Sequence, residues 1–176
     1  SYIISAYFKS QGLDALHADA RTLITTDQLH GKATVNYPLT NQKLKAFNED
    51  NKNAIVVMGG FIASSTDGVA TTLGRGGSDF TAAIVAAALD AVLLEIYTDV
   101  SGMFTANPKL VKQARPITSI SYEEAMELSH FGAKVLYPPT IQPVLQKQIP
   151  IAIKNTFDPQ AVGTLIQKQT SEGNKT

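Results

Sequence analysis

The sequence predicts an α/β protein, a three-layer α/β/α sandwich built on a mainly parallel sheet. Three observations support this class. Apolar, β-branched runs of strand length recur along the chain, helical patterns separate them, and polar or glycine-bearing loops follow them. Strands that alternate with helices favour a parallel sheet covered by helices on both faces.

The first third of the chain has weak patterns, apart from its opening helix. Residues 1–12 (SYIISAYFKSQG) place apolar side chains at helical spacing and end at Gly12, which suits a helix C-terminus. Because no capping residue precedes Ser1, we expect the chain to have lost a segment upstream. The next predicted elements are short strands over 13–19, 22–26 and 31–39, the last ending near Pro38, and a helix over 42–47.

The middle of the chain has stronger patterns. Residues 54–60 (AIVVMGG) are an apolar run stopped by two glycines, which predicts a central strand covered on both faces. The pair Asp67-Gly68 between alternating segments predicts a hairpin turn. From Asp79 to Asp90 the alanine-rich, all-round apolar pattern predicts a buried helix.

The second half continues the alternation of strands and helices. Ser121 and Glu124 have the spacing of a capping box at the start of a helix. The other predicted elements are a strand over 91–99, a loop over 100–111, a helix over 139–148, and strands over 149–156 and from 163 onward. We assign residues 1–166 to the domain and 167–176 to a linker or disordered tail.

Composition narrows the function classes. The 176 residues allow one domain or a large part of one, and fifteen basic residues balance fifteen acidic ones. This balance argues against nucleic-acid and membrane partners, and no apolar run reaches the ~18 residues of a membrane span. We therefore expect a cytoplasmic protein. The absence of cysteine and the scatter of His17, His30 and His130 argue against a metal centre.

The segment LGRGGSDF (73–80) suits an anion. Glycines let the backbone approach a ligand, amides at a helix start carry positive partial charge, and Arg75 offers a planar fork for a carboxylate or phosphate. The carboxylate of Asp79 would repel an anion bound at this segment, unless it orients a lysine or a phosphate-bound metal. A tight turn with Ser78 or Asp79 as helix cap explains the same residues. Neither a Walker loop nor a dinucleotide fingerprint is present.

Polar loops follow three predicted strands, and ligands of open α/β sheets bind at such carboxyl ends. These loops lie at 59–61, at Thr98 and Asp99, and at 154–156. Phe104 could stack on a flat ring, and Lys109 and Lys134 could reach phosphates. A surface loop with Phe104 in the core and solvated lysines explains the same pattern.

Four segments together resemble the aspartokinases, members of the amino-acid kinase family. They are GRGGSDFTAA (74–83), EIYTDVSGMFTANPK (95–109), SYEEAMELSHFGAKVLYP (121–138) and IPIAIKNTFDPQAVGTLI (149–166). Their order and separations are those of the family, and residues 59–61 and 1–21 resemble its earlier portions. The resemblance favours the kinase part of the bifunctional aspartokinase/homoserine dehydrogenases.

The resemblance implies transfer of the γ-phosphoryl group of ATP to the side-chain carboxylate of L-aspartate. The product would be 4-phospho-L-aspartate, on the route to lysine, threonine and methionine. Mg²⁺ would be held mainly through ATP phosphates, with no metal site made by the protein alone. The family also implies a homo-oligomer in the full-length enzyme and allows a fused homoserine dehydrogenase.

Roles for individual residues are carried over by position. Arg75 would hold the α-carboxylate of aspartate, with Gly60, Phe61 and Ser78 nearby, and Asp79 would orient the catalytic apparatus. The nucleotide site would be formed by Thr98, Asp99, Phe104, Lys109, Lys134 and Val135, with Lys134 also catalytic. The substrate carboxylate is already ionised near pH 7, so phosphoryl transfer needs positioning and charge neutralisation rather than a histidine base.

Several departures from the family pattern bear on these expectations. Lys109 stands where the family often has arginine, Phe104 where tyrosine is common, and Tyr137 where histidine is usual. These differences bear on the expected affinity for the nucleotide rather than on the identity of the family. The family's Lys-Phe-Gly-Gly segment, its Gly-Glu pair and its ACT domains are not matched, so we expect a kinase domain truncated at its N-terminus and inactive alone. Alternatives are a related kinase acting on glutamate, acetylglutamate or a nucleotide, and a non-catalytic nucleotide-binding or assembly fragment.

Overall fold

The computed structural model describes residues 1–29, 31, 33–108, 110–131 and 136–168. The chain divides into two compact units, Ser1–Leu89 and a second one that begins at Asp90. Helices and strands alternate in both units, and four of the strand pairings among the described residues are parallel. The predicted α/β class with mainly parallel strands is therefore confirmed. Within this described part, no helix is long and apolar enough to span a membrane.

The first unit combines short strands with two long helices. Its described elements are α1 (Tyr2–Ser10), β1 (Ala15–Ala18), α2 (Ala20–Leu23), β2 (Thr25–Thr26), α3 (Tyr37–Asp50), β3 (Ile55–Met58), β4 (Ile62–Ser65), β5 (Ala70–Thr72) and α4 (Gly77–Ala88). β1 pairs in parallel with β3, while β4 is parallel to β2 and antiparallel to β5. A buried apolar cluster that includes Ile24, Leu44, Ala63 and Ile84 holds α3 and α4 to the β2–β4–β5 sheet.

The second unit is organised around a four-stranded sheet. Its described elements are β6 (Leu94–Thr98), β7 (Met103–Phe104), β8 (Pro116–Ile117), β9 (Ser119–Ser121), α5 (Tyr122–Phe131), a 3₁₀ helix (Pro138–Ile141), α6 (Gln142–Gln146), β10 (Ile151–Asn155) and β11 (Thr164–Gln167). The strand order is β6-β10-β11-β9, and β7 pairs with β8. Ile151, Ile153 and Ile166 are fully buried. The centre of the sheet is therefore apolar, as the β-branched runs predicted.

Most element predictions are confirmed, including the hairpin. The amide of Gly68 donates to the carbonyl of Ser65 at 3.0 Å, and Gly68 has a φ of 79°. The strand predicted over 54–60 forms as β3. The prediction that both of its faces are covered was wrong, because Ile55 and Val56 are 44% and 38% exposed. The predicted helix over 139–148 is a 3₁₀ turn followed by α6.

The strand predicted to end near Pro38 is the clearest error. Asn36 caps α3, its side-chain oxygen accepting from the amide of Leu39 at 3.2 Å, so the helix already begins at Tyr37. Pro38 lies in the first helical turn, where its missing amide hydrogen costs no hydrogen bond. The strand predicted over 22–26 is likewise shorter, because residues up to Leu23 belong to α2.

The predicted capping box is confirmed at the start of α5. The amide of Ser121 donates to Glu124 Oε2 at 3.0 Å, and the amide of Glu124 donates to Ser121 Oγ at 3.2 Å. The backbone hydrogen bond from Ser121 lowers the pKa of Glu124, because it favours the ionised carboxylate. The cap should therefore depend on pH.

We expect Ser121→Ala to lower the free energy of unfolding by about 1 kcal/mol at pH 7. The Glu124 carboxylate has a lowered pKa in the folded state, so its contribution is complete above the ordinary value of 4.5 and is lost as the pH falls through the folded pKa. Ser121→Ala keeps the backbone bond but removes the hydroxyl, which donates to Glu124 Oε2 at 2.9 Å, so the difference between this variant and the unsubstituted chain in urea unfolding should shrink in acid. Ser129→Ala, within the same helix, is the control, and equal losses in both variants would contradict the capping role.

Candidate active site

The turn before α4 is shaped by glycines. Gly74 and Gly76 have φ values of 76° and 68°, in the left-handed region that glycine tolerates. The amide of Gly77 donates to the carbonyl of Gly74 at 3.1 Å, which closes the turn. Arg75 lies between these glycines and is exposed. The turn thus presents a guanidinium next to the start of a helix.

The N-cap of α4 is Gly76, and no side chain caps the helix. The explanation of Ser78 or Asp79 as helix caps is therefore wrong, because both residues lie inside the first turn. Helix amides at such an end point outward and favour an anion. Ser78 is exposed and Asp79 is half-buried.

Asp79, in the first turn of α4, has a carboxyl group with a shifted pKa. Partial burial raises the pKa of its carboxyl, since a charged group loses solvation there. The ionised form is thus less favourable than in water. A cation brought next to Asp79 would offset that cost.

The loop that contains Gly60 and Phe61 lies directly against the first turn of α4. The amide of Phe61 donates to Thr81 Oγ1 at 3.0 Å and to the Gly77 carbonyl at 3.3 Å. The Phe61 carbonyl accepts from the amide of Leu73 at 2.9 Å. The structure therefore brings together the predicted residues Gly60, Phe61 and Ser78.

Two glycines make this approach sterically feasible. A Cβ atom on Gly60 would lie 2.8 Å from Ser78 Cα, and one on Gly77 would lie 2.7 Å from Phe61 Cδ2. Both distances are below those that real Cβ atoms adopt. Any larger residue at either position would push the loop and the helix apart.

In the second unit, Thr98 and Asp99 follow the carboxyl end of β6. Thr98 lies opposite Asn155 in the parallel pairing of β6 with β10, and its carbonyl accepts from the amide of Thr156 at 2.8 Å. Thr98 Oγ1 donates to Asp99 Oδ1 at 3.2 Å. The loops after these two strands are therefore neighbours at the carboxyl end of the sheet, which confirms the prediction for two of the three loops; the third, at 59–61, belongs to the first unit.

Asn155 connects the same two loops through its side chain. Its Nδ2 donates to Ser101 Oγ at 2.9 Å, and its Oδ1 accepts from the amide of Phe157 at 2.9 Å. Asn155 was noted in the sequence only as part of a polar loop, and its bridging role depends on strand pairing that the sequence does not reveal.

Phe104 is held on the short strand β7. The preceding residue Met103 donates its amide to Thr164 Oγ1 at 2.7 Å, and Phe104 pairs with Pro116. The Phe104 side chain is half-buried, so it is neither a core residue nor fully exposed. Its ring is thus accessible in part.

Three predicted site residues, Lys109, Lys134 and Val135, lie outside the described residues. Among the residues that the structure does describe, no group of three or more His, Cys, Asp or Glu side chains could hold a metal ion. Lys154, which the sequence placed only in the polar loop 154–156, forms an ion pair with Glu95 at 2.5 Å.

Comparison with known proteins identifies the family. The model of the amino acid kinase family matches residues 1–155, which is most of the chain. The chain belongs to the amino acid kinase family. This finding confirms the family membership that the four sequence segments indicated.

Within this family, the chain is similar to aspartokinases. It is 46% identical over 149 residues to the bifunctional aspartokinase/homoserine dehydrogenase of Buchnera aphidicola, covering 85% of this chain and 18% of that one. It is 38% identical over 167 residues to the lysine-sensitive aspartokinase 3 of Escherichia coli, covering 92% and 36%.

A crystal structure of E. coli aspartokinase III in complex with aspartate and ADP has the same fold. The TM-score is 0.86 at 35% identity, over 97% of this chain and 38% of that one. The chain therefore spans between 18% and 38% of the length of these relatives. The resemblance to aspartokinases is confirmed over nearly all of the described residues.

We expect Gly60→Ala to lower the free energy of unfolding by about 1–3 kcal/mol, because the added methyl group would overlap the Ser78 backbone. Gly59→Ala is the matched control, since its Cβ would meet the side chain of Ser1 at 3.4 Å. Urea denaturation of both variants tests the difference. Equal midpoints would show that the loop and helix are not in the close contact described above.

Proposed function

We propose that residues 1–166 form the larger, C-terminal part of an aspartokinase catalytic domain. The complete enzyme would transfer the γ-phosphoryl group of ATP to the side-chain carboxylate of L-aspartate and form 4-phospho-L-aspartate, on the way to lysine, threonine and methionine. The observation that carries this proposal is the similarity of nearly the whole chain to an aspartokinase crystallised with aspartate and ADP.

The turn and loop of the first unit supply the acceptor side in this proposal. Arg75 would hold the α-carboxylate of aspartate through two parallel hydrogen bonds, with Gly60, Phe61 and Ser78 against the rest of the substrate. Support comes from the packing of the Phe61 loop on the first turn of α4 and from the exposure of Arg75. The positive partial charge at the start of α4 adds to the attraction for a carboxylate.

The loops after β6 and β10 supply the nucleotide side. Thr98, Asp99, Phe104, Lys109, Lys134 and Val135 are the residues we assign to ATP. Thr98 and Asp99 would offer polar contacts, Phe104 a ring for stacking, and the two lysines positive charge for the phosphates. The half-buried Phe104 ring and the sheet-edge position of Thr98 and Asp99 support these roles.

The reaction requires positioning and charge neutralisation rather than a strong base. A β-carboxylate oxygen of aspartate would form a bond to the γ-phosphorus while the bond to the bridging oxygen breaks, so that ADP leaves. We assign Asp79 to orienting the cations at the reaction centre and Lys134 to stabilising charge on the transferred group. Burial raises the pKa of Asp79, and a neighbouring cation would stabilise its ionised form.

Mg²⁺ would neutralise phosphate charge when it is bound. Because the described residues contain no cluster of three metal-ligating side chains, we propose that ATP oxygens and water hold most of it.

We also propose a cytoplasmic homo-oligomer without nucleic-acid or membrane partners. The balanced charge of the chain supports the proposed lack of nucleic-acid and membrane partners. The bifunctional enzymes among its relatives support a homoserine dehydrogenase fused to the same polypeptide.

The experiment that tests the function is an assay of the complete polypeptide with ATP and a panel of acceptors. Aspartate, glutamate, N-acetylglutamate and UMP represent the alternatives within the fold. We expect acyl phosphate only from aspartate. Turnover with another acceptor would replace aspartate in the proposal, and nucleotide binding without any turnover would favour a non-catalytic role.

We expect Arg75→Ala in the complete enzyme to raise the KM for aspartate about 10- to 100-fold with little effect on the KM for ATP, because a charged bidentate contact is lost. Lys134→Ala should raise the KM for ATP instead. Arg21→Ala is the control for Arg75, since the Arg21 guanidinium pairs with Asp19 at 2.6 Å. Equal changes in both constants for Arg75→Ala would contradict its assignment.

A further inference from the structure

Phe61 has a backbone conformation that a bulky residue rarely adopts. Its φ is 77°, in the left-handed region, where the Cβ atom of an ordinary residue crowds the following carbonyl. Such a conformation persists only where the surrounding structure holds it, and it is common at ligand sites. The contacts of Phe61 therefore show what maintains its position.

The described hydrogen bonds hold Phe61 from both sides of its backbone. Its carbonyl accepts a hydrogen bond from the amide of Leu73. Its amide donates to two acceptors, Thr81 Oγ1 at 3.0 Å and the Gly77 carbonyl at the longer distance of 3.3 Å. The shorter of the two amide contacts is thus made by a side chain. Substitution can remove it without altering the backbone chemistry.

Thr81 is well suited to this task. Its side chain lies on α4, the residue is only 5% exposed, and Oγ1 donates its hydrogen to the Gly77 carbonyl at 2.8 Å. That bond back to the preceding turn is ordinary for a helical threonine. The unusual feature is that the same oxygen accepts from an amide twenty residues away in the chain. With its own hydrogen committed to Gly77, the hydroxyl presents its lone pairs to Phe61.

We infer that Thr81 is a positioning residue for the acceptor substrate, acting through Phe61. Its hydroxyl fixes the left-handed backbone of Phe61 and so sets where the loop of Gly60 and Phe61 meets aspartate. This inference rests on the proposed function and deepens it. Loss of the hydroxyl should loosen aspartate binding selectively, because the residues assigned to ATP lie elsewhere in the chain.

Thr40 provides a matched control for the loss of a buried threonine hydroxyl. It is fully buried in the same unit, and its Oγ1 also accepts from a backbone amide, that of Thr25 at 3.0 Å, and donates to the Thr25 carbonyl at 3.3 Å. Thr40→Val and Thr81→Val thus remove the same pair of bonds from comparable surroundings. Only the second removes a bond to Phe61.

The experiment is steady-state kinetics of the complete enzyme with aspartate and ATP varied in turn. We expect Thr81→Val to raise the KM for aspartate about 3- to 10-fold and to leave the KM for ATP within about twofold. Thr81→Ser, which keeps the hydroxyl, should restore the aspartate KM. Thr40→Val should lower the thermal midpoint to a similar extent as Thr81→Val, but leave both KM values near those of the unsubstituted enzyme.

The outcomes separate this inference from the function on which it rests. Equal effects of Thr81→Val on both KM values, or a shift in aspartate KM also in Thr40→Val, would overturn the role of Thr81 while aspartate phosphorylation stands. An unsubstituted enzyme that does not phosphorylate aspartate would overturn both. If Thr81→Val does not accumulate as folded protein, Thr81→Cys has a similar volume and a weak acceptor, and an unchanged aspartate KM in that variant would refute the inference.

Discussion

The first unit depends on one close backbone approach, that of the Gly60–Phe61 loop to the first turn of α4. The absence of side chains at Gly60 and Gly77 lets the two segments come within distances that a Cβ atom would forbid. This proximity brings the Phe61 amide within hydrogen-bonding distance of Thr81. Through Leu73, whose amide bonds to the Phe61 carbonyl, the same contact also anchors the turn that carries Arg75. Hydrogen bonds and close packing therefore link the residues proposed for the acceptor side to one another.

A similar steric constraint organises the second unit. Gly163 has a φ of 74°, and a Cβ atom there would lie 2.2 Å from the Ile153 carbonyl oxygen. The following residue, Thr164, accepts a hydrogen bond from the amide of Met103 through its Oγ1. Gly102, which precedes Met103, is also in the left-handed region. Close packing at these glycines and hydrogen bonds from uncharged side chains thus hold the segment between β6 and β7. In the proposed function, loops fixed in this way would present Thr98, Asp99 and Phe104 to the nucleotide with little loss of conformational entropy on binding.

Local patterns in the sequence predicted the features that depend on neighbouring residues. The capping box at Ser121 and Glu124 and the turn at Gly68 are decided within four residues, and both form. The strand predicted through Pro38 failed because Asn36 supplies a cap that a strand pattern does not reveal. The exposure of Ile55 and the bridge from Thr81 to Phe61 depend on which segments meet in space. Patterns along the chain do not contain that information. The residues proposed for the acceptor side were assigned through family resemblance, whereas the hydrogen bond from Phe61 to Thr81 is visible only in the structure.

The carboxyl of Asp79 lies in the first turn of α4, where the proposed function also places an anionic substrate. Burial raises the pKa of this carboxyl, so the ionised side chain is held at a cost in the folded chain. Because the folded pKa is raised, this cost is present above the unfolded pKa and disappears as the pH falls below it. An opposite charge beside the carboxylate would relieve the same cost, since it favours the ionised form. In the proposed function, the cation that Asp79 orients would supply that charge. A carboxylate neutralised in this way would not repel an anion held by the neighbouring Arg75, which reconciles its position in the first turn of α4 with the proposed role of that arginine.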